Sequence, residues 1–347
     1  MKILYHSTNL PPKLAGTEAM LQEINILRHH FGGNLIHVNP NDQSRLYWPR
    51  LLFGFHRLGQ IRAEESGLHL HHFYNADPFP FPFLRWLRRP VIYSISSGVG
   101  LQPPNRAFFG SLAAVTVSDE RSLKRLQGWG LGHNTYLVRP GIETCHFSYS
   151  ALPLRSEIRL MVGSAPWTLG QFRTKGIEAL LAAAQQTPHL RLVCLWRGVL
   201  AEEMARRVRQ MGLERQVEII NQKVDVNQVL AGVHASITLV TDPAIIRSYP
   251  HTLMESLAAG KPILVSRTIP MADYVEQTGC GQVIKEVTPG AVLAAVEALA
   301  QNYGRLQKAA QAVGPRDFSK EALIASFKSV YQKVMDDHGS AFTNASY

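Results

Sequence analysis

One feature constrains this chain more than any other: a structural alternation that runs for about 150 residues, stops, and begins again. Short runs rich in Val, Ile, Leu and Tyr alternate with amphipathic stretches long enough to cross over a sheet. Apolar runs joined by helical crossovers build parallel sheets covered by helices. In the first half, strands are predicted over 1–7, 34–38, 68–73, 91–95, 114–118 and 135–139. A helix is predicted over 17–31, where Leu21, Ile24, Leu27 and Phe31 share one face, and another over 119–126. The second half reads as strands 158–163, 191–196, 217–220, 236–240 and 262–266. Its helices are expected over 176–186, 201–211, 226–231, 251–259, 291–302 and 321–336.

Two doubly wound α/β units follow, with the Pro-rich stretch 151–154 as the seam. The expected domains are 1–152, 153–318, and a C-terminal helix with a frayed tail over 319–347 that packs back toward the first. Ligands of such sheets bind outside the carboxyl ends of the strands, so two facing sheets predict a cleft. A chain of 347 residues that is 46% hydrophobic supports two cores, which excludes disordered and fibrous classes.

The three cysteines, Cys145, Cys194 and Cys280, are widely spaced, so neither a disulfide framework nor a zinc site is expected and a reducing, cytoplasmic compartment fits. The first residues read as a strand rather than a signal peptide, and no 18-residue apolar run exists to span a membrane. The net charge of +10 calls for an anionic partner. No helix-turn-helix, RNP or zinc-finger pattern accompanies it, so nucleic acid is not expected. His69, His71 and His72 alternate across a strand with no acidic or Cys partner nearby in sequence, which favours packing or cleft lining over metal. Residues 45–62 and 79–89 interleave large apolar side chains with Arg and carry no acidic residue. They read either as buried helices with solvated Arg or as the contact face for an anionic membrane surface.

Three loops could carry chemistry. Gly16 lies between the first strand and the first helix, where a glycine lets the backbone approach a ligand. Arg173 and Lys175 precede Gly176 and a helix, a place where the helix dipole disfavours cations unless an anion is bound. Glu255 sits early in a helix beside the apolar Leu253, Met254 and Leu257, and a carboxylate there can accept sugar hydroxyls.

Pro243-Ala244, Glu255, Ala259-Gly260 and Pro262 together resemble the retaining glycosyltransferases of family four, which have the GT-B fold. Lys175-Gly176, Val117-Ser118, the turn from Val138 through Gly141 to Phe147, and Gly16 extend the resemblance over nearly the whole chain. It implies two Rossmann-like domains facing across a cleft, a first on the acceptor side and a second that binds the nucleotide-sugar. By the same resemblance Glu255 binds the ribose, Lys175 with Arg173 neutralises the donor diphosphate, and Gly163, Arg197, His251, Thr252 and Leu253 complete the donor site. Gly16 would approach the diphosphate. No metal or other cofactor is implied, and the acceptor would be a glycan or a lipid-linked molecule at the inner face of the membrane. His72 and Ser96 stand as acceptor-side candidates.

The departures are specific. Arg247 occupies the place of the family's first Glu, Tyr249-Pro250 replace Phe-Gly, Ser96 stands where many members have His, and Ser164 stands where they have Arg. Arg247 is therefore expected to meet donor phosphates, to meet a carboxylate on the transferred sugar, or to bridge structurally to Glu276 or Asp273. The alternatives to a transferase are a nucleotide-sugar epimerase of the same fold and a donor-binding subunit without activity.

Overall fold

The computed structural model describes residues 1–11, 18–42, 44, 46–196, 198–242 and 246–343. The chain forms two compact units, Met1–Gly141 with Lys320–Tyr347, and Ile142–Ser319.

In the first unit six parallel strands run β1 (Ile3–Ser7), β2 (Asn34–His37), β3 (Leu70–Asn75), β4 (Val91–Ile95), β5 (Ala114–Val117) and β6 (Thr135–Leu137). They are ordered β2-β1-β3-β4-β5-β6. β1, β3, β4 and β5 are buried along their whole length; β4 and β5 read as mostly apolar runs for that reason, whereas β3 buries His71, His72 and Asn75 with hydrogen-bond partners. Leu4, Phe73, Tyr93 and Val115 pack on one face against Phe53, Phe81, Phe83 and Phe109. Ile3, Tyr5, Leu70 and Ile92 pack on the other against the helix Ala19–Phe31 and against the chain's last helix, Lys320–Thr343. That last helix contributes Leu323, Phe327, Val330, Tyr331 and Val334, so residues 323–334 are part of this unit's core.

The second unit also has six parallel strands: β7 (Ile158–Val162), β8 (Leu190–Leu195), β9 (Val217–Ile220), β10 (Ala235–Thr238), β11 (Ile263–Ser266) and β12 (Gly281–Ile284). Their order is β12-β11-β10-β7-β8-β9. The unit begins at Ile142 rather than after residue 152. Ile142 donates its N–H to the Phe318 carbonyl at 2.9 Å, pairs with Ser319, and is buried among Val240, Leu253 and Phe318. Residues 151–154, with Pro153, therefore lie inside a unit and mark no boundary.

The elements that went unpredicted include, in the second unit, the helices Met271–Thr278 and Tyr303–Asp317, and β12. The second helix contains Gly304, Gly314 and Pro315, which look like breakers. Gly314 is there because a Cβ would collide with the Leu257 carbonyl of the helix His251–Ala258 packed against it.

Each sheet has one place where successive crossovers leave in opposite directions, between β1 and β3 in the first unit and between β7 and β10 in the second. Loops part at the carboxyl ends of such strand pairs and open a crevice for ligand.

Candidate functional site

The β7/β10 switch of the second unit gathers most of the residues expected to hold a donor. β7 ends at Val162, and Gly163 follows directly. A Cβ on Gly163 would strike the side chain of Thr252, so glycine is what lets the first turn of the helix His251–Ala258 lie against the strand exit. The loop then runs to Lys175, whose Nζ donates to the Ala165 carbonyl at 2.9 Å. Gly176 takes a left-handed φ of 68°, and a Cβ there would lie 2.6 Å from Leu239 Cβ. Gly176 thus closes the loop against the segment leaving β10, and Thr241 N–H fastens the same two segments by donating to the Thr174 carbonyl at 2.9 Å.

Lys175 is 7% exposed, and burial lowers its pKa below the ordinary lysine value. Among the described residues its ammonium is paired with one oxygen, the neutral Ala165 carbonyl. A buried cation whose partner is neutral can still pair with an anionic group. Arg173, two residues earlier on the short helical turn Gln171–Thr174, is exposed.

On the helix His251–Ala258, the residues His251, Thr252 and Glu255 are half-buried, whereas Leu253, Met254 and Leu257 enter the core. His251 and Glu255 share a face at one-turn spacing. Pro250, at the cap position, supplies no side-chain cap to the first turn, which suits a ligand there. Leu253 is a correction: its side chain is fully buried and its N–H donates to the Pro250 carbonyl at 3.0 Å, so it has no group to offer a donor. Arg247 is half-buried with Nε and Nη1 shielded from solvent. Asp273 and Glu276, the expected structural partners of Arg247, both pair with Arg267. Gly16, Arg197 and the Pro243-Ala244 pair lie outside the described residues.

Residues 167–314 match the family model described as glycosyl transferases group 1. The second unit is a group 1 glycosyltransferase domain. No curated protein matches the sequence. Among solved structures, a glycosyltransferase from Rickettsia africae is 12% identical, with 97% of this chain and 99% of that one covered at a TM-score of 0.74. Sucrose-phosphate synthase from Thermosynechococcus elongatus is 14% identical, covers 97% and 99%, and has a TM-score of 0.69. Anabaena HepE in complex with UDP is 13% identical, covers 98% and 100%, and has a TM-score of 0.68. The likeness spans both units, and with the two parallel six-stranded sheets it gives the whole chain the two-domain, Rossmann-like GT-B fold. Glycosyl transfer is the activity this family and fold support.

The acceptor-side expectations for the first unit change. His72 is fully buried, with its two ring nitrogens 2.6 Å from Tyr331 Oη and 2.7 Å from Ser94 Oγ, so it joins sheet to final helix and is a core residue. Ser96 does lie at a strand exit, just after β4, and its N–H donates to the Asn75 carbonyl at 3.0 Å. His71 has an acidic partner after all: its Nε2 is 3.0 Å from Glu65 Oε1 while its Nδ1 is 3.0 Å from His6 Nε2. Glu65 also accepts from the Arg88 N–H at 2.6 Å, so this buried chain fastens the 65–67 turn and residue 88 to the sheet. Among the described residues no group of three or more His, Cys, Asp and Glu is placed to hold a metal, and no helix is long and apolar enough to cross a membrane.

The basic, apolar segments 45–62 and 79–89 divide between core and surface. Phe53, Phe81, Phe83 and Leu84 are buried, whereas Leu46, Tyr47, Leu51, Leu52 and Trp86 are exposed.

Proposed function

We propose that the chain transfers a sugar from a nucleotide-sugar to an acceptor hydroxyl with retention of configuration, its charge stabilisation supplied by side chains rather than by a metal. The observation that carries this reading is Lys175, a buried ammonium beside a carbonyl at the ligand end of a group 1 glycosyltransferase domain. As the anomeric C–O bond breaks, its electron pair leaves on the diphosphate, and a fixed cation in a desolvated site lowers the energy of that charge. The acceptor oxygen forms the new bond on the same face of the sugar, and its proton passes to the oxygen of the departing diphosphate. Glu255 accepts from ribose hydroxyls, Gly163 and Thr252 shape the floor, and exposed Arg173 folds onto the diphosphate when donor arrives. Anabaena HepE is described with UDP, with UDP and glucose, and with UDP-glucose, which supports a uridine nucleotide as the first to test.

Arg247, where the family keeps a carboxylate, favours a donor whose sugar bears a negative group. The exposed apolar and Arg side chains of the first unit fit peripheral attachment to an anionic membrane, the surface on which a lipid-linked acceptor would be met.

The test is to incubate the pure chain with a panel of neutral and acidic nucleotide-sugars. Nucleotide released only when an acceptor is present supports transfer. An isomerised donor would make the chain an epimerase, and binding without turnover would make it a donor-binding subunit. An unchanged rate with an acidic donor in Arg247→Ala would remove the specificity assigned to that residue.

A further inference from the structure

The β1/β3 switch of the first unit holds a polar assembly that the sequence patterns do not reveal. Thr8 Oγ1, just after β1, donates to Asn75 Oδ1 at 2.6 Å. Asn75 Nδ2, at the end of β3, donates to both the carbonyl and Oδ1 of Asp77, each at 2.6 Å. Arg50 comes from the short 3-10 turn Arg50–Leu52 in the β2–β3 connection and pairs with the same carboxylate, Nη1 to Oδ2 at 3.0 Å and Nη2 to Oδ1 at 2.5 Å. The Tyr93 hydroxyl donates to the Asp77 carbonyl at 3.2 Å and to the Phe79 carbonyl at 2.8 Å, and the Arg50 guanidinium lies 4.2 Å from the centre of the Phe79 ring.

Asn75 is 2% exposed and commits its amide group to Asp77, yet the Asp77 and Arg50 side chains remain 50% and 38% exposed. A half-exposed ion pair adds little to folding stability, so buried support of this kind is not explained by the fold's own needs. Its effect is to hold a carboxylate and a guanidinium rigidly side by side at the ligand end of the sheet. Burial opposes ionisation of Asp77, but the hydrogen bond and charge of Arg50, with help from Asn75, hold the carboxyl below its ordinary range. Asp77 is thus an anion at neutral pH, and its half-exposed carboxylate, with Oδ2 accepting from Arg50 Nη1 at 3.0 Å, has capacity to accept from a ligand hydroxyl as well. A carboxylate beside a guanidinium matches a vicinal diol, in which one hydroxyl donates to the anion and its neighbour accepts from the cation. Leu51 and Leu52, on the same turn as Arg50, follow Leu46 and Tyr47, and all four are exposed large apolar side chains.

We propose that this switch binds an amphiphilic acceptor, with a vicinal diol of its sugar head on Asp77 and Arg50 and its hydrocarbon tail along Leu46, Tyr47, Leu51 and Leu52. Only the word acceptor rests on the glycosyl-transfer reading; the binding itself does not.

The experiment titrates the full chain with octyl glucoside below its micelle concentration, with glucose, and with tetraethylene glycol monooctyl ether, which has the tail but no diol. Octyl glucoside is expected to bind at least tenfold more tightly than either, because each methylene removed from water is worth roughly fourfold and the diol adds charged hydrogen bonds. Asp77→Asn should weaken octyl glucoside about tenfold while UDP affinity stays put. Should that variant fail to fold, Arg50→Gln is expected to give the same loss. The double change Leu51→Ser with Leu52→Ser should shrink the gap between octyl glucoside and glucose. No binding of octyl glucoside, an affinity equal to that of glucose or of the ether, or less than a twofold loss in the folded Asp77 and Arg50 variants would overturn the proposal. Absent UDP binding with octyl glucoside binding intact would instead sink the donor reading and leave this site standing.

Discussion

The two units solve one topological problem with different chemistry. Both are six-stranded parallel sheets whose crossovers reverse direction next to the first strand, and both place polar groups at that reversal. In the second unit the groups come from two short segments, a glycine-bounded loop and the start of one helix, with a buried cation among them. In the first they come from three separate connections, Thr8, Arg50 and Asn75-Asp77, and the cation is already paired. Two short chain segments therefore suffice to build the second unit's assembly, while that of the first depends on side chains brought together from three connections.

The largest test of that contrast removes residues 320–347. The first unit would lose five buried apolar side chains, each worth about 1.5–3 kcal/mol, a total comparable to the stability of a whole domain. It is expected to unfold, while the second unit keeps its hydrogen-exchange protection and its affinity for UDP. Loss of protection in both would mean the second unit does not stand alone.

pH separates the units next. Burial pushes His72 down to about 3 from its ordinary 6.5, and burial together with the charges of His71 and His72 lowers His6 well below 6.5. The unfolded chain takes up these protons near pH 6.5 and the folded unit does not. The first unit should therefore lose stability as pH falls from about 6.5 toward 3, by up to about 1.4 kcal/mol per pH unit for His72 alone. Lys261, fully buried with Nζ donating to the Ser150 carbonyl at 2.7 Å, is pushed down to about 8 from 10.5 by that burial. The unfolded chain stays protonated longer, so Lys261 should add stability to the second unit between about pH 8 and 9, above which Cys194 and Cys280, pushed up by burial to about 12 and about 11 from 9.0, oppose it. Hydrogen exchange followed in each unit separately checks both slopes; His72→Gln should flatten the first and Lys261→Met the second. A slope that survives its substitution assigns it to the wrong residue.

At the donor site, Lys175→Met should weaken UDP roughly 10- to 150-fold, the range of one charge-assisted bond, with octyl glucoside unaffected. Calorimetric titration of both ligands would expose any crosstalk. The smallest effect concerns the membrane face. Arg85 and Arg88 are exposed, whereas Arg89 is tied through Nε to the Glu65 carbonyl, so the first two are the residues to change. Replacing both by Gln should lower sedimentation with anionic vesicles by about 1 kcal/mol per Arg, and added salt should mimic the change. Equal partition onto neutral vesicles would argue for apolar attachment without charge.

What could be read in advance follows the same line. β1 and β4 were legible because they are buried on both faces, and β7 and β8 because their buried stretches, Leu160–Val162 and Leu192–Cys194, are continuous and apolar. Lys175, Gly176 and Glu255 were legible because their spacing is local. Tyr303–Asp317 was missed because Gly314 answers a neighbouring helix rather than its own. The Glu65–His71 pair was missed because the carboxylate arrives through a turn between strands, and His72 misled because its partner Tyr331 is 259 residues away. Asp77 gave no signal at all, since nothing in the sequence near it names Arg50 or Thr8 as a partner.

The chain begins and ends in the same unit, and Ile142 and Ser319, the first and last residues of the other, pair side by side. During synthesis the second unit can thus close on itself as soon as residue 319 is available. The first cannot: Ile3, Tyr5, Leu70 and Ile92 wait with that sheet face covered only in part, by the helix Ala19–Phe31, until Phe327 and Tyr331 leave the ribosome. At synthesis rates of about 5–20 residues per second, that interval lasts some tens of seconds from the completion of β4. The oldest part of the chain is the last to finish folding, and the need for a holding chaperone should fall on it rather than on the unit made after it.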